Sequence, residues 1–203
     1  MTIRTELAKY DTRENFFFEW KWVADGKKQI DMAHITLYQL QHFYPEVMAS
    51  IAGYFKFGFV RDPYTRFLSA VAQHLKLGTA HTRQAIFREP DLFYRVATNF
   101  ALSVLDQKVI DADFKLVHFR QQSNFYYLNS ERWVDRVFKL EEPESILHTR
   151  AETWLGDAME TPKNRTPHFT EGGYDLKALA PAARNAIGTF YERDFERFGY
   201  ARL

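Results

Sequence analysis

The sequence predicts a single α/β domain, residues 1–203, in which a central, mostly parallel sheet is flanked by helices. Two observations carry this. Phe55, Phe57 and Phe59 alternate with Lys56, Gly58 and Val60, the period of a strand with one buried face, and the run passes straight into the helix start Arg61-Asp62-Pro63. Two more strand-like runs, Phe114 to Phe119 and Val134 to Leu140, are interleaved with helical stretches, as in sheets covered on both faces. A chain of 203 residues can bury a sizeable core within one domain.

Taken in order, the aromatic-rich run Asn15 to Val23 reads as a buried edge strand or a loop. Thr36 and Gln39 fit a capping box with Ile35 and Leu40 as its hydrophobic staple, so a helix starts at Leu37, and a second short one follows near Glu46 to Ala52. Asp62 is a good N-cap and Pro63 a good first helical residue, with Phe67, Leu68, Val71 and Leu75 as the buried stripe. Arg83 to Leu105 is mostly helical, broken near Pro90, with Phe93, Val96, Ala97 and Phe100 as its apolar face. Glu141 and Glu142 follow the strand at Val134 to Leu140, and Pro143 starts a helix that stops near Gly156. Residues 160–173, rich in Thr, Pro, Asn and Gly, form a long loop of the functional or mobile kind. Pro181 to Phe198 is the closing helix, stopped by Gly199.

Lys and Arg total 27 against 26 acidic residues, so no overall basic field favours nucleic acid, and any anion site has to be local. The chain has no cysteine, which excludes disulfides and thiolate metal sites and fits a reducing compartment. No apolar run approaches the roughly 18 residues of a membrane span and no signal peptide is visible, so a soluble, cytoplasmic protein without membrane insertion is expected. A kinase-like phosphate transfer is disfavoured, since neither a Gly-x-x-x-x-Gly-Lys-Ser/Thr loop nor a Mg²⁺-binding acidic pattern is present.

The chemistry concentrates at the strand-to-helix corner. Arg61 lies at the carboxyl end of the strand, and Arg66 and Ser69, three residues apart, share one helix face. An arginine fork, a hydroxyl and the free amides of a helix start suit a phosphate. The same residues would also serve an ordinary strand-turn-helix whose arginines sit in water or pair with Asp62.

The run FGFVRDPYTRFLSA, Phe57 to Ala70, resembles the motif that binds the 3′-phosphate of the sulfate donor PAPS (3′-phosphoadenosine 5′-phosphosulfate) in the sulfotransferases, specifically the Golgi-type carbohydrate sulfotransferases and their bacterial relatives. Three further stretches resemble that family in the right order. These are DMAHITLYQL, its His-containing segment; HFRQQSNFYYLNSERWVDRVFKLEEP, its Gln-containing segment leading into a strand that ends in Glu; and FYERDFERFGY, its terminal helix. The likeness implies a P-loop-NTPase-like sulfotransferase fold and sulfuryl transfer from PAPS, without a metal, to a hydroxyl of a carbohydrate or similar small acceptor. It implies that Arg61 and Ser69 grip the 3′-phosphate with Arg66 beside them, and that Gln121 and Gln122 line the acceptor cleft or fix the loop. His34, just ahead of the capped helix, is either the candidate base in an in-line displacement or a helix-flanking histidine that hydrogen-bonds locally. His118, at an expected strand end, is either a cleft residue or a satisfied core histidine. Lys163 and Asn164, with Arg165, either close over the nucleotide phosphates or form a solvated charge cluster.

The chain departs from the family at its start. MTIRTELAKYDTRENFFFEWKW contains no Lys-x-Gly-x-Thr/Ser loop to hold the 5′-phosphosulfate, and the first glycine, Gly26, reads as a turn. Either a strand and loop precede the sequence given, or the chain is a shortened member, a catalytically impaired remnant that binds PAP, another nucleotide or a glycan. In the second case Lys163 is the nearest substitute for the lysine at the leaving group.

Overall fold

The computed structural model describes residues 16–23, 26, 28–79, 84–86, 88–142 and 173–203. The chain divides into two compact units, Met1–Val60 with Gln122–Asn164, and Arg61–Gln121 with Arg165–Leu203.

In the first unit, β1 (Trp20–Val23) and β2 (Lys28–Asp31) form an antiparallel hairpin, Trp20 opposite Asp31. A single 3-10 turn, Met32–His34, leads to α1 (Leu37–Phe43), which starts where its capping box requires. Thr36 Oγ1 accepts from the Gln39 amide at 3.2 Å and Gln39 Oε1 accepts from the Thr36 amide at 3.1 Å. Leu40 is buried with Val47 and Met48 of α2 (Pro45–Ile51), and Ile35 packs against the same cluster. β3 (Phe57–Val60) follows. Beyond it, β4 (Tyr127–Leu128) and β5 (Glu131–Arg132) make a short hairpin turned by Asn129 and Ser130, both at positive φ, and β6 (Arg136–Lys139) pairs in parallel with β3.

The central, mostly parallel sheet expected from the sequence, and with it the P-loop-NTPase-like architecture, is not formed. Among the described residues the strands pair only in twos and helices predominate. One physical reason lies at β3. The carbonyls of Lys56, just before the strand, and of Val60 accept from the Arg136 and Leu140 amides, at 3.1 and 2.9 Å, and so face β6. By strand alternation the Phe59 carbonyl points to the other edge. There Tyr126 Oη donates to it at 2.8 Å, taking an acceptor that a further strand would need. Gly58 makes the approach possible, because a Cβ at that position would lie 2.4 Å from Tyr126 Cε1.

In the second unit, α3 (Pro63–Leu75) buries Phe67, Leu68 and Val71, with Leu75 packed alongside. α4 (Pro90–Val104) adds Phe93 and Ala97, flanked by Val96 and Phe100, and α5 (Gln107–Ala112) adds Ile110. The expected strand at Phe114–Phe119 is instead a 3-10 helix, capped by Asp113, whose Oδ1 accepts from the Lys115 amide at 2.9 Å. The neighbours Leu116 and Val117 are both buried while Phe114 and Lys115 are both exposed, which an alternating strand cannot achieve. His118 therefore does not stand at a strand end. The closing helix is two helices, α6 (Pro181–Phe190) and α7 (Glu192–Phe198), separated at Tyr191 and ended by Gly199 in the left-handed region at φ 64°. Among the described residues no helix is long and apolar enough to cross a membrane.

Candidate functional site

The corner expected from the sequence lies within the second unit. Asp62 caps α3 as expected, its Oδ1 accepting from the Thr65 amide at 2.9 Å. The helix start nevertheless offers an anion less than the sequence suggests. Pro63 has no amide proton, the Thr65 amide goes to the Asp62 side chain, and the Arg66 amide goes to the Asp62 carbonyl. The Asp62 carboxylate also repels a second anion there. Side chains would therefore carry most of the hold on a phosphate.

Those side chains are present. Arg61 Nε donates to Thr65 Oγ1 at 3.1 Å, and that hydroxyl donates onward to the Asp62 carbonyl at 3.1 Å, which fixes the root of the guanidinium. Arg61 Cζ lies 5.9 Å from the centre of the Tyr174 ring, within cation–π range. Ser69 follows on α3. Burial raises the Tyr174 pKa, and the opposing pulls of Arg61 and Ser69 do not cancel it, so the phenol stays protonated.

Arg66 sits on the same helix with its Cζ 5.8 Å from the ring centre of Tyr191, which is fully buried. Burial drives the Tyr191 pKa far up despite Arg66, so the ring is neutral there, and its hydroxyl donates to the Phe119 carbonyl at 2.7 Å. Nη1 of Arg66 is buried and has no hydrogen-bond partner among the described residues. A buried donor in that condition costs about 1–3 kcal/mol, which an incoming anionic oxygen would recover. The donor set of two guanidinium groups and a hydroxyl thus fits a phosphate.

The remaining candidates belong to the first unit, are otherwise engaged, or lie outside the described residues. His34 belongs to the first unit, where its Nδ1 is 2.6 Å from Asp31 Oδ2, while Asp31 Oδ1 accepts from the Ala33 amide at 3.0 Å. A carboxylate only accepts, so in the neutral imidazole Nδ1 carries the proton and Nε2 the lone pair. Gln121 donates from its Nε2 to the Phe190 carbonyl, closing the end of α6. Gln122, its neighbour in sequence, is buried in a 3-10 turn, Gln122–Phe125, of the first unit. His118 is half-buried in the Phe114–Phe119 helix. Lys163, Asn164 and Arg165, together with the helix expected from Pro143, lie outside the described residues. Among the described residues no group of three or more His, Cys, Asp or Glu side chains could hold a metal ion.

Sequence reasoning missed two participants. Asp31 could have been found, as a carboxylate three residues before His34. Tyr174 could not, since no spacing connects it to Arg61 or Ser69.

Neither the curated proteins nor the solved structures yield a significant match to this chain. The family model described as Sulfotransferase family matches residues 2–201, which covers the Arg61 corner, the Asp31–His34 pair and the closing helices alike. The chain belongs to the sulfotransferase family.

Proposed function

We propose that this chain is a nucleotide-binding member of its family that holds PAP, and the PAP portion of PAPS, by the 3′-phosphate. The observation that supports it is the corner of the second unit, where α3 carries Ser69 and Arg66 shortly after Arg61, and the buried Nη1 of Arg66 lacks a partner among the described residues. A phosphate dianion would accept from the Arg61 fork, from the Ser69 hydroxyl and from that buried donor.

A thermal-shift titration with PAP against AMP tests it, because AMP lacks the 3′-phosphate. At about 100 times its dissociation constant PAP adds about 2.7 kcal/mol, which at about 2–4 °C per kcal/mol for a chain of this size is a shift of several degrees. AMP at the same concentration is expected to give much less. Equal shifts, or none, would refute recognition of the 3′-phosphate.

A second reading, sulfuryl transfer to a hydroxyl of a carbohydrate or similar acceptor, is favoured by the Asp31–His34 pair. An imidazole whose Nδ1 proton is held by a carboxylate carries its lone pair on Nε2, the atom that would take the acceptor proton as the oxygen attacks sulfur in line with the departing PAP. On this reading His34→Ala leaves the PAP shift intact and lowers transfer of label from ³⁵S-PAPS by about 10²–10⁴-fold. Undiminished transfer in that variant would place the base elsewhere.

A further inference from the structure

Tyr191 stands at the break between α6 and α7, and the reading above gives it no part in binding. Its placement is fixed from both sides. Its amide donates to the Ile187 carbonyl at 2.9 Å, and its carbonyl accepts from the Asp194 and Phe195 amides at 2.8 and 3.1 Å, so the residue ends one helix and starts the next. The side chain is fully buried, with Oη donating to the Phe119 carbonyl at 2.7 Å and the Phe190 ring set edge-on to it, 4.8 Å between centres and 88° between planes. This anchored ring is the one within cation–π range of the Arg66 guanidinium, whose Cζ lies 5.8 Å from its centre.

A ring differs from a carboxylate as the partner of a buried guanidinium. A carboxylate would neutralise the charge and occupy the N–H groups that an incoming anion needs, and would itself repel that anion. The negative face of a ring attracts the charge, offsets part of the lost hydration, and brings no net charge of its own. The arrangement at Arg66 is of the second kind, since its Nη1 is buried and has no hydrogen-bond partner among the described residues. Hydroxyl and ring also have separable roles: Oη ties Tyr191 to Phe119, and the ring meets Arg66.

We propose that Tyr191 is a positioning residue for Arg66: its fixed ring holds the guanidinium through charge alone and leaves Nη1 open to the 3′-phosphate. This rests on the nucleotide-binding reading above. The test is calorimetric titration of the full chain with PAP and with AMP, as wild type, Y191F, Y191L, R66M and the double variant Y191L/R66M, beside a melting curve of each free protein. Y191F keeps the ring and loses only the bond to Phe119. Pentafluorophenylalanine at position 191 keeps the shape of that ring and reverses the charge of its face, and it replaces Y191L in the comparison if the smaller side chain does not fold.

Y191F is expected to melt at a lower temperature, because the Phe119 carbonyl loses this donor, and to keep its PAP affinity within about twofold. Y191L, or the fluorinated ring, is expected to lose about tenfold in PAP affinity with AMP unchanged. In the R66M background the same change is expected to cause no further loss, since there is no guanidinium left to hold. A wild type that binds PAP while the ring-altered variants bind it as well as Y191F does overturns this inference alone. So do losses that multiply in the double variant, because Tyr191 would then act independently of Arg66. A wild type that does not bind PAP overturns the nucleotide reading together with the inference.

Discussion

Arg61→Ala is expected to lower PAP affinity by about 100-fold or more while leaving the fold intact. Hydrogen bonds to a charged group are worth about 1.5–3 kcal/mol each, and a guanidinium meets a phosphate through two of them. Removing one partner of a close charge pair typically costs about 2–5 kcal/mol, and every 1.4 kcal/mol is about tenfold in affinity. The loss to the folded state is smaller, since Arg61 is half-buried and its described contacts are a hydrogen bond from the guanidinium to the Thr65 hydroxyl and a cation–π contact with Tyr174. The measurement is calorimetric titration with PAP beside a melting curve of the free protein. Arg61→Lys is the informative companion: it keeps the charge but not the fork, and should recover only part of the affinity. Unchanged PAP binding by Arg61→Ala would remove Arg61 from the site and with it the phosphate assignment of the corner.

What was legible in this sequence was whatever neighbours decide. The capping box of Thr36 and Gln39, the Asp62 cap with Pro63 behind it, the break near Pro90 and the left-handed stop at Gly199 all form where the sequence places them. Each is settled by groups within about one helical turn. Strand partnership is not settled that way. The alternation around Phe57 and Phe59 reads the same whether the outer edge of β3 meets another strand or, as here, the hydroxyl of Tyr126 on the Phe59 carbonyl, 67 residues away. The site divides likewise. Arg61 and Ser69 were readable because the strand-to-helix turn and the helix carry both. Asp31 was within reach of His34 and could have been read. Tyr174, and the Tyr191 ring against which Arg66 lies, are brought to α3 by tertiary packing that no local pattern encodes.

Phe119 shows how much depends on one such packing choice. Phe119→Ala is expected to destabilise the chain by about 3–5 kcal/mol, a large share of the roughly 5–15 kcal/mol that holds a typical domain together. The side chain is fully buried, and its ring centre lies 5.7 Å from that of Phe67 and 5.8 Å from that of Phe100, with His74 at 6.2 Å. Four aromatic rings thus meet behind α3, beside the face that carries Arg66 and Ser69. Removing one ring leaves a cavity that rigid neighbours fill poorly. The backbone carbonyl that accepts from Tyr191 Oη survives the substitution, so the loss belongs to the ring rather than to that hydrogen bond. Urea unfolding reads the effect as a fall in midpoint at nearly constant slope. Phe114→Ala is the matched control on the same 3-10 helix: Phe114 is 56% exposed and should change stability by no more than about 0.5 kcal/mol. Similar losses at the two positions would contradict the packing described, because a helix that buries Phe119 and exposes Phe114 requires them to differ by several kcal/mol, about as much as the whole transfer of a phenyl ring into a core.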